Sequence, residues 1–495
     1  MAIAQFINDV EGAWKTIKYG IGQDMNQSGD NAREFTIKKL LLTTANGKKK
    51  FNIEEMILDF QYHESIESSF LRCDISILDA VNFNLNLFGG EEVEIQLITA
   101  TAFGGEELHT KLKVYKIGSI SKTERGQLYI LHCVSPEMYH DESNKVFKSF
   151  GPGEKSKDVD NIPKYICQEY LKCKGGQKLT DKNFEGHSPY TFIACSWKPS
   201  DAIAFLSDKV TRLTGSKGDA KQSGFLFWEN RNGFNFRSID SIAGGEATQN
   251  GMYEYVYAQG AQEGVNKFYA IEAMSYPDKA NHLANMRMGT YKTSAIGISI
   301  ASQKDSFAPV SGKKDEAGED DNTFTATSGT GLADKPGGTV SNLKVLDINQ
   351  VFSKATTLES NKPFPIPEFF DLKKAKPTRM KIRALPGMKN QSSKGNVNNG
   401  TNPNVDTMAV AQYAAARYNL FKAIKLDITV AGNTALTAGN VIDIRIPSSQ
   451  EEGADVKLDR RFSGKYIIAG LTHIYRKAGM TTKLYLVRDS IPRNS

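Results

Sequence analysis

The chain is poor in several things that would reveal a chemistry. Its 495 residues hold five cysteines, Cys73, Cys133, Cys167, Cys173 and Cys195. The number is odd, the positions are scattered and no CxxC occurs, so neither a disulfide framework nor a zinc site is indicated. Reduced thiols are the expectation, as in a protein folded in a cytoplasm. No apolar run approaches the roughly 18 residues that a bilayer-spanning helix needs. The opening MAIAQFINDV has no basic region ahead of a long apolar core and does not read as a secretory signal. These features predict a soluble protein with no membrane insertion. A charge excess is missing too: 62 basic against 56 acidic residues leave +6. No Lys/Arg block is dense enough to track phosphates. The longest basic run, Lys48-Lys49-Lys50, reads as a solvated turn before a strand.

Catalytic signatures are equally scarce. There is no GxSxG, HExxH, Walker loop or GxGxxG after a strand. Among seven histidines (His63, His109, His132, His140, His187, His282 and His473) none pairs at a metal-ligand spacing with another His or Cys, apart from adjacent His132-Cys133. Adjacent strand residues point to opposite faces, so those two cannot chelate one ion from a regular strand. The densest acid–base cluster is His140-Asp141-Glu142 with Glu137, read as a solvated helix start. The acidic run 315–321 lacks the calcium-loop order of a sixth-position Gly and a closing Glu, and reads as an acidic loop. A wall-degrading hydrolase needs two carboxylates about 5–10 Å apart at a cleft. Any of 56 acids might supply them, and none stands out. The sequence therefore assigns no catalytic, cofactor-binding or metal residue and no cofactor, and the expected answer to whether this is an enzyme is no.

What is present is β-structure. The length predicts two to four domains, and 40% hydrophobic with 24% charged residues suits globular folding. Phe6, Val10, Trp14 and Ile17 fall at helical spacing, so residues 1–33 read as a short amphipathic helix and a linker arm. From 34 to 135 six strand-like segments alternate with Gly-rich breaks at 89–90 and 104–105, predicting a barrel or sandwich. Helical periodicity follows over Glu137–Arg212. Asp158–Leu171 places Ile162, Tyr165, Ile166 and Tyr170 on one face, and Ser200–Arg212 is predicted as a helix capped by Ser200. FLFWENRNGFNFRSID reads as a hairpin about an Asn232-Gly233 turn. Its Trp228 face could stack on a ligand, but core or interface packing is the commoner use of such a stripe.

Strands resume at MYEYVYAQ, KFYAIEAMSY and MRMGTYKTSAIGISIA. The stretch 301–406 is loose and Gly/Ser/Thr/Asp-rich, with 340–353 as a candidate strand and a proline-fixed KPFPIPEFFD. Met408–Ile424 is alanine-rich and predicted helical, capped by Asp406 or Thr407. Four strands close the chain. Ile424, Leu426, Ile428 and Val430 share one face of the first, and Ile442, Ile444 and Ile446 one face of the second.

Three parts carry a resemblance: the first β-region with its helical follower; PSDAIAFLSDKV leading into FLFWENRNGFNFRSID; and the ending AAARYNLFKAIKLDITVAGNTALTAGNVIDIRIPS with RRFSGKYIIAGLTHIY. Matching residues in the last part are Gly432, Asn433, Leu436, Gly439, Asn440, Ser463, Gly464, Tyr466, Ile467, Ile468 and His473. Together they resemble the central baseplate hub proteins of contractile-tailed phages, related to the base of type VI secretion spikes. The resemblance implies a mainly β (α+β) fold with two tail-tube-like β-barrel domains, a small helix-containing middle domain and a long loop insertion. The expected boundaries are 34–135 for the first barrel, 136–250 for the middle domain, 251–300 with 407–495 for the second barrel, and 301–406 for the insertion. It implies a homotrimer whose six barrels adapt the six-fold tail tube to the three-fold spike, located in the virion baseplate after assembly in the host cytoplasm. Implied partners are tail tube or tube-initiator proteins, the central spike, and baseplate wedge and tape-measure proteins, with DNA only passing through the lumen. His473 carries over as a strand residue, not a catalyst. The alternatives are a tail-associated cell-wall hydrolase on a β-rich scaffold or a carbohydrate-binding adhesin module.

Overall fold

A computed structural model describes residues 32–80, 83, 87–99, 106–123, 126–150, 161–173, 177–186, 190, 192–214, 217–248, 252–257, 267–277, 281–299, 310–312, 323–326, 342–352, 355–358, 379–385, 407–447, 458–459 and 462–490. The helix expected near Trp14, the acidic run 315–321 and the proline-fixed stretch lie outside the described residues.

The first β-region holds β1 (Phe35–Thr43), β2 (Lys50–Asn52), β3 (Ile57–Ser65), β4 (Arg72–Asp79), β5 (Glu92–Thr99), β6 (Glu107–Thr123) and β7 (Gly126–Val134). The alternation that predicted strands is a true inside–outside pattern: Val93, Ile95 and Leu97 are buried, as are Cys73, Ile75 and Ile77. Where HTKLKVYKIGSIS suggested a short strand, β6 runs for 17 residues and absorbs its length in two register shifts against β7. Lys48 and Lys49 sit exposed in the turn before β2, as their run of charge predicted.

The middle region contains α1 (Pro136–Ser143), β8 (Val146–Phe150), α2 (Ile162–Glu169), β9 (Phe192–Trp197), α3 (Pro199–Ser207), β10 (Thr211–Thr214), β11 (Lys217–Ser223), β12 (Phe225–Asn230), β13 (Gly233–Ser238) and α4 (Ile239–Ala243). Helical periodicity missed the β8–β9 pair, whose inner residues Val146, Phe150, Phe192 and Ala194 pack with α2 and α3 in one aromatic-rich core. The helix predicted over Ser200–Arg212 is α3, shorter and not capped by Ser200. Pro199 occupies its first turn, and Ser200 gives both its N–H and its hydroxyl to Asp141 (2.7 Å each). It stops because Val210 enters the core ahead of β10.

The remaining elements are β14 (Glu254–Val256), β15 (Ile271–Ser275), α5 (His282–Met288), β16 (Lys292–Ser299), β17 (Val310–Gly312), β18 (Thr323–Ala326), β19 (Asn342–Asp347), α6 (Ile348–Phe352), β20 (Arg379–Leu385), α7 (Thr407–Phe421), β21 (Ile424–Ala431), β22 (Val441–Arg445), β23 (Gly464–Arg476) and β24 (Gly479–Arg488). MRMG, read as a strand start, instead ends α5, with Gly289 as the left-handed cap (φ 76°). The candidate strand 340–353 divides into β19 and α6. β16 pairs with β19 and, in parallel, with β20, within a five-stranded sheet ordered β17-β18-β19-β16-β20. It thus joins strands of the 301–406 stretch, whereas the expected second barrel over 251–300 with 407–495 placed it beside the closing strands.

The two large β-regions form one 13-stranded sheet, ordered β15-β21-β24-β23-β3-β4-β7-β6-β5-β1-β2, with β22 on β23 and β14 on β22. Each half encloses its own core. They meet where β23 pairs antiparallel with β3, from Gly470↔Ser65 to Arg476↔Asp59. Across this seam Tyr475 stacks on Phe60 (4.7 Å, 8°) and meets Phe35 edge-on (4.8 Å). Tyr475 and Met480, from the closing strands, are members of the first half's core.

α7 packs on this body through Val410, Ala411, Ala414, Leu420 and Phe421. Its one charged residue, Arg417, is fully buried between Asp489 (3.2 Å) and Asp240 (3.4 Å), and donates to the Thr356 carbonyl (2.8 Å). Replacing Arg417 with Met strands two buried carboxylates without a cation, which costs about 3–5 kcal/mol. Thermal denaturation of R417M should show a large fall in Tm with native-like far-UV dichroism at low temperature.

Candidate functional site

Part of the residues that carried the resemblance, Gly432, Asn433, Leu436, Gly439 and Asn440, lie in one loop that touches both sheet halves and the β12–β13 hairpin. The loop 432–440 between β21 and β22 is buried throughout. A buried loop must satisfy its own backbone, and this one does so through its side chains. The Asn433 carboxamide oxygen accepts from Ala435 N (2.9 Å), and its Nδ2 donates to Tyr255 Oη (3.0 Å). The Thr437 hydroxyl donates to Asn440 Oδ1 (2.8 Å). Thr434 reaches the first half, where its N–H meets Thr99 Oγ1 (3.1 Å) and its hydroxyl donates to the Glu106 carbonyl. Gly439 N and Ile468 N close the loop onto β23 (2.9 Å each).

Two glycines are demanded by close approach. A Cβ on Gly432 would lie 2.7–2.9 Å from Met480, and one on Gly439 would lie 2.8 Å from Trp228 Cζ2. Gly439 also has φ +94°, where L side chains are strained. Trp228 itself is fully buried, with its indole N–H donated to the Ala438 carbonyl (3.1 Å).

The aromatic hairpin is therefore no exposed platform: every residue of β13 is buried. Its two-residue turn is Arg231-Asn232, one position ahead of the predicted Asn232-Gly233, because Gly233 pairs with Asn230. Gly233 at φ +112° fits where a Cβ would meet the Lys178 backbone at 2.5 Å.

One carboxylate ties the three parts together. Glu64, near the end of β3, accepts from Tyr62 Oη (2.8 Å), from Arg231 N in the hairpin turn (2.8 Å) and from Ala438 N in the closing loop (2.9 Å). Burial pushes its carboxyl up to about 7, although those three donors and the Arg231 charge pull the other way. Arg231 continues outward to Glu106 Oε2 (3.1 Å) and the Glu107 carbonyl (3.2 Å).

A second buried cluster lies beneath the hairpin. Lys178 Nζ binds both Glu137 oxygens (2.8 Å) and Glu229 Oε1 (3.0 Å), and Glu229 also accepts from Leu71 N (3.2 Å). Burial opposes the Lys178 charge, but Glu229 and Glu137 outweigh it and hold the ammonium above its ordinary range.

The acid–base cluster noted in the sequence is thus divided. Glu137 and Asp141 are buried and committed to Lys178 and Ser200, which corrects their reading as a solvated helix start, while Glu142 pairs with Lys198 at the surface (2.6 Å). His132 and Cys133 take opposite faces as expected: His132 meets Asp74 (2.6 Å), and Cys133 lies in the core opposite Cys73.

His473 lies in β23, stacked near Tyr62 (6.0 Å) with Nδ1 on Thr482 Oγ1 (2.9 Å). Burial, helped by the Arg231 and His63 charges, lowers it to about 3, so it is neutral throughout the physiological range. It acts as a packed strand residue. Among the described residues no group of three His, Cys, Asp or Glu is placed to hold a metal ion. The arrangement joins three modules through Glu64, which accepts from the hairpin turn and the closing loop on the same strand.

No family model matches the chain, and no curated protein matches it. Solved structures similar to it include tail and baseplate proteins. The tail protein from Neisseria meningitidis MC58 is 10% identical with a TM-score of 0.48, over 91% of this chain and 97% of that one. The 43 kDa tail protein of prophage MuSo2 from Shewanella oneidensis is 11% identical with a TM-score of 0.47, over 92% and 99%. The E. coli c3393 protein, a component of the type VI secretion system with structural similarity to T4 bacteriophage tail proteins gp27 and gp5, is 9% identical with a TM-score of 0.33, over 93% and 79%.

Two outcomes test the junction. Gly439→Ala should cost about 1–3 kcal/mol by overpacking against Trp228. Gly245→Ala has a comparable φ (+79°) but nothing within 4 Å, and should cost less in the same denaturant titration. For Glu64 the folded carboxyl near 7 stands above the unfolded value of about 4.5. Its contribution is then most favourable below about 4.5 and is lost as pH rises through about 7. Glu64→Gln should flatten the stability–pH curve across that window.

Proposed function

We propose that the chain is the structural hub of a phage-tail-type baseplate, a homotrimer that adapts a six-fold tail tube to a three-fold central spike. One observation carries the reading: β23 pairs edge to edge with β3, so two β units, each with its own core, sit in one subunit in a fixed relation. Three such subunits around an axis supply six β units, the number that a six-fold tube presents, while the subunits keep three-fold symmetry for the spike. The junction suits a mechanical joint. Its buried carboxylates are engaged with internal donors, and its loop is sealed by side chains from every module it touches.

On this reading the protein is not an enzyme. Its neighbours are tube or tube-initiator proteins on one side and the spike on the other, with wedge and tape-measure proteins around it and DNA passing only through the lumen. Its place is the virion baseplate. Light scattering of the purified chain should give three times the 54.6 kDa subunit mass, and a cell-wall gel should show no clearing. A monomer that clears cell wall contradicts the proposal, and a monomer that binds sugar favours an adhesin.

A further inference from the structure

Five cysteines scattered through the sequence carry no disulfide pattern, yet the fold brings two of them together. Cys167 lies in α2, fully buried, and Cys173 lies just past the end of that helix, 5% exposed. The chain doubles back between them. Tyr170 N and Leu171 N both donate to the Ile166 carbonyl (3.0 and 3.3 Å), Lys172 then takes a left-handed conformation (φ 56°), and Cys173 N donates to the Cys167 carbonyl (3.1 Å). Such a φ is uncommon away from glycine. Its effect here is to set Cys173 alongside Cys167, where the two thiols hydrogen-bond each other in the aromatic-rich core of the middle region. A main-chain hydrogen bond between two residues keeps their Cα atoms within the roughly 4.4–6.8 Å that a disulfide spans. The other cysteines are placed differently. Cys73 and Cys133 stand opposite one another in the first half's core, but the Cys133 thiol turns to the Leu131 carbonyl (3.8 Å). Cys195 is exposed on β9.

We propose that Cys167 and Cys173 are a reversible modification site, a dithiol that a peroxide converts into an intramolecular disulfide. Cys173, at the surface, is the thiol that the oxidant reaches. Its thiolate attacks one peroxide oxygen, the O–O bond breaks, and a sulfenic acid and hydroxide result. That hydroxide takes up the proton the thiol released and leaves as water. The Cys167 sulfur then attacks the sulfenic sulfur: the S–S bond forms, the S–O bond breaks, and the departing hydroxide carries off the Cys167 proton as a second water. Two thiols are thereby oxidised by two electrons, and one peroxide is reduced to two waters. Burial pushes the Cys167 thiol up, its bond to Cys173 and the Glu229 and Glu137 charges add to this, and Cys167 stays protonated. A buried thiol of this kind is inert to the oxidant itself, so its part is to resolve the sulfenic acid beside it. The bond fastens the end of α2 to the segment leading to Lys178, whose ammonium holds Glu137 and Glu229 beneath the hairpin. In a reducing compartment the pair stays open, and outside one it closes.

The test treats the purified, fully reduced chain with hydrogen peroxide, alkylates the thiols that remain after unfolding, and maps tryptic peptides by mass spectrometry without reduction. The expected result is peptide 165–172 joined to residues 173–174, a link that survives cleavage after Lys172 and is released by a reductant. Cys173→Ser should abolish the link and leave Cys167 open to alkylation. Cys195→Ser, on the exposed thiol, should leave the link intact. Oxidation of Cys195 in the unsubstituted chain reports that the peroxide has acted. If Cys167 and Cys173 are then both alkylated, the proposal is overturned. It is overturned equally if Cys173 is recovered as a sulfinic acid with Cys167 free, or bonded to any other cysteine.

Discussion

The structure depends on one strand pairing, β23 against β3. Without it the chain would be two β-regions strung through a helical middle. With it they are a single sheet whose halves cannot rotate independently. Hydrogen bonds between two strand edges would be a weak hinge if they stood alone. Here they are backed by Tyr475 stacked on Phe60 and by Glu64, whose carboxylate holds the hairpin turn and the closing loop against the same strand. Burying a carboxylate is costly, and the rise of Glu64 toward neutrality records that cost. What it secures is a fixed geometry among three modules.

The same logic recurs at Arg417 and Lys178. Each is a cation placed where elements distant in sequence converge, Arg417 fully buried and Lys178 half-buried, and each is matched by two carboxylates from different elements. Charged groups so placed tolerate little displacement, because an unpaired buried charge costs far more than the pair gains.

Much of the β architecture was legible from alternation alone. In β4, β5 and β21 the period-two pattern survives as an inside–outside pattern, because one face meets a core and the other does not. The turn residues of the closing region were legible as well, and the structure explains them: Gly432 and Gly439 are sites of close approach, and Asn433 and Asn440 bond within their own loop. The middle region was harder. The β8–β9 pair is too short for its period to compete with the helical pattern around it, and Val210 looks like a continuing helix face when it is the step into a strand. The hairpin turn slipped by one residue because Gly233 is required by the Lys178 backbone beside it, a tertiary contact that local turn rules do not contain. Glu64, Glu137 and Glu229 had no individual signal among 56 acids. Arg417 did have one, as the lone charge in an alanine-rich helix.

The account rests on the two β units acting as a matched pair within each subunit. Electron-microscopic imaging of the purified full-length protein tests this most directly. The account predicts three-fold particles in which six β-rich densities surround a central channel, two from each chain and joined through the β3–β23 seam. Isolated single-chain particles, or rings with one β density per subunit, would contradict it.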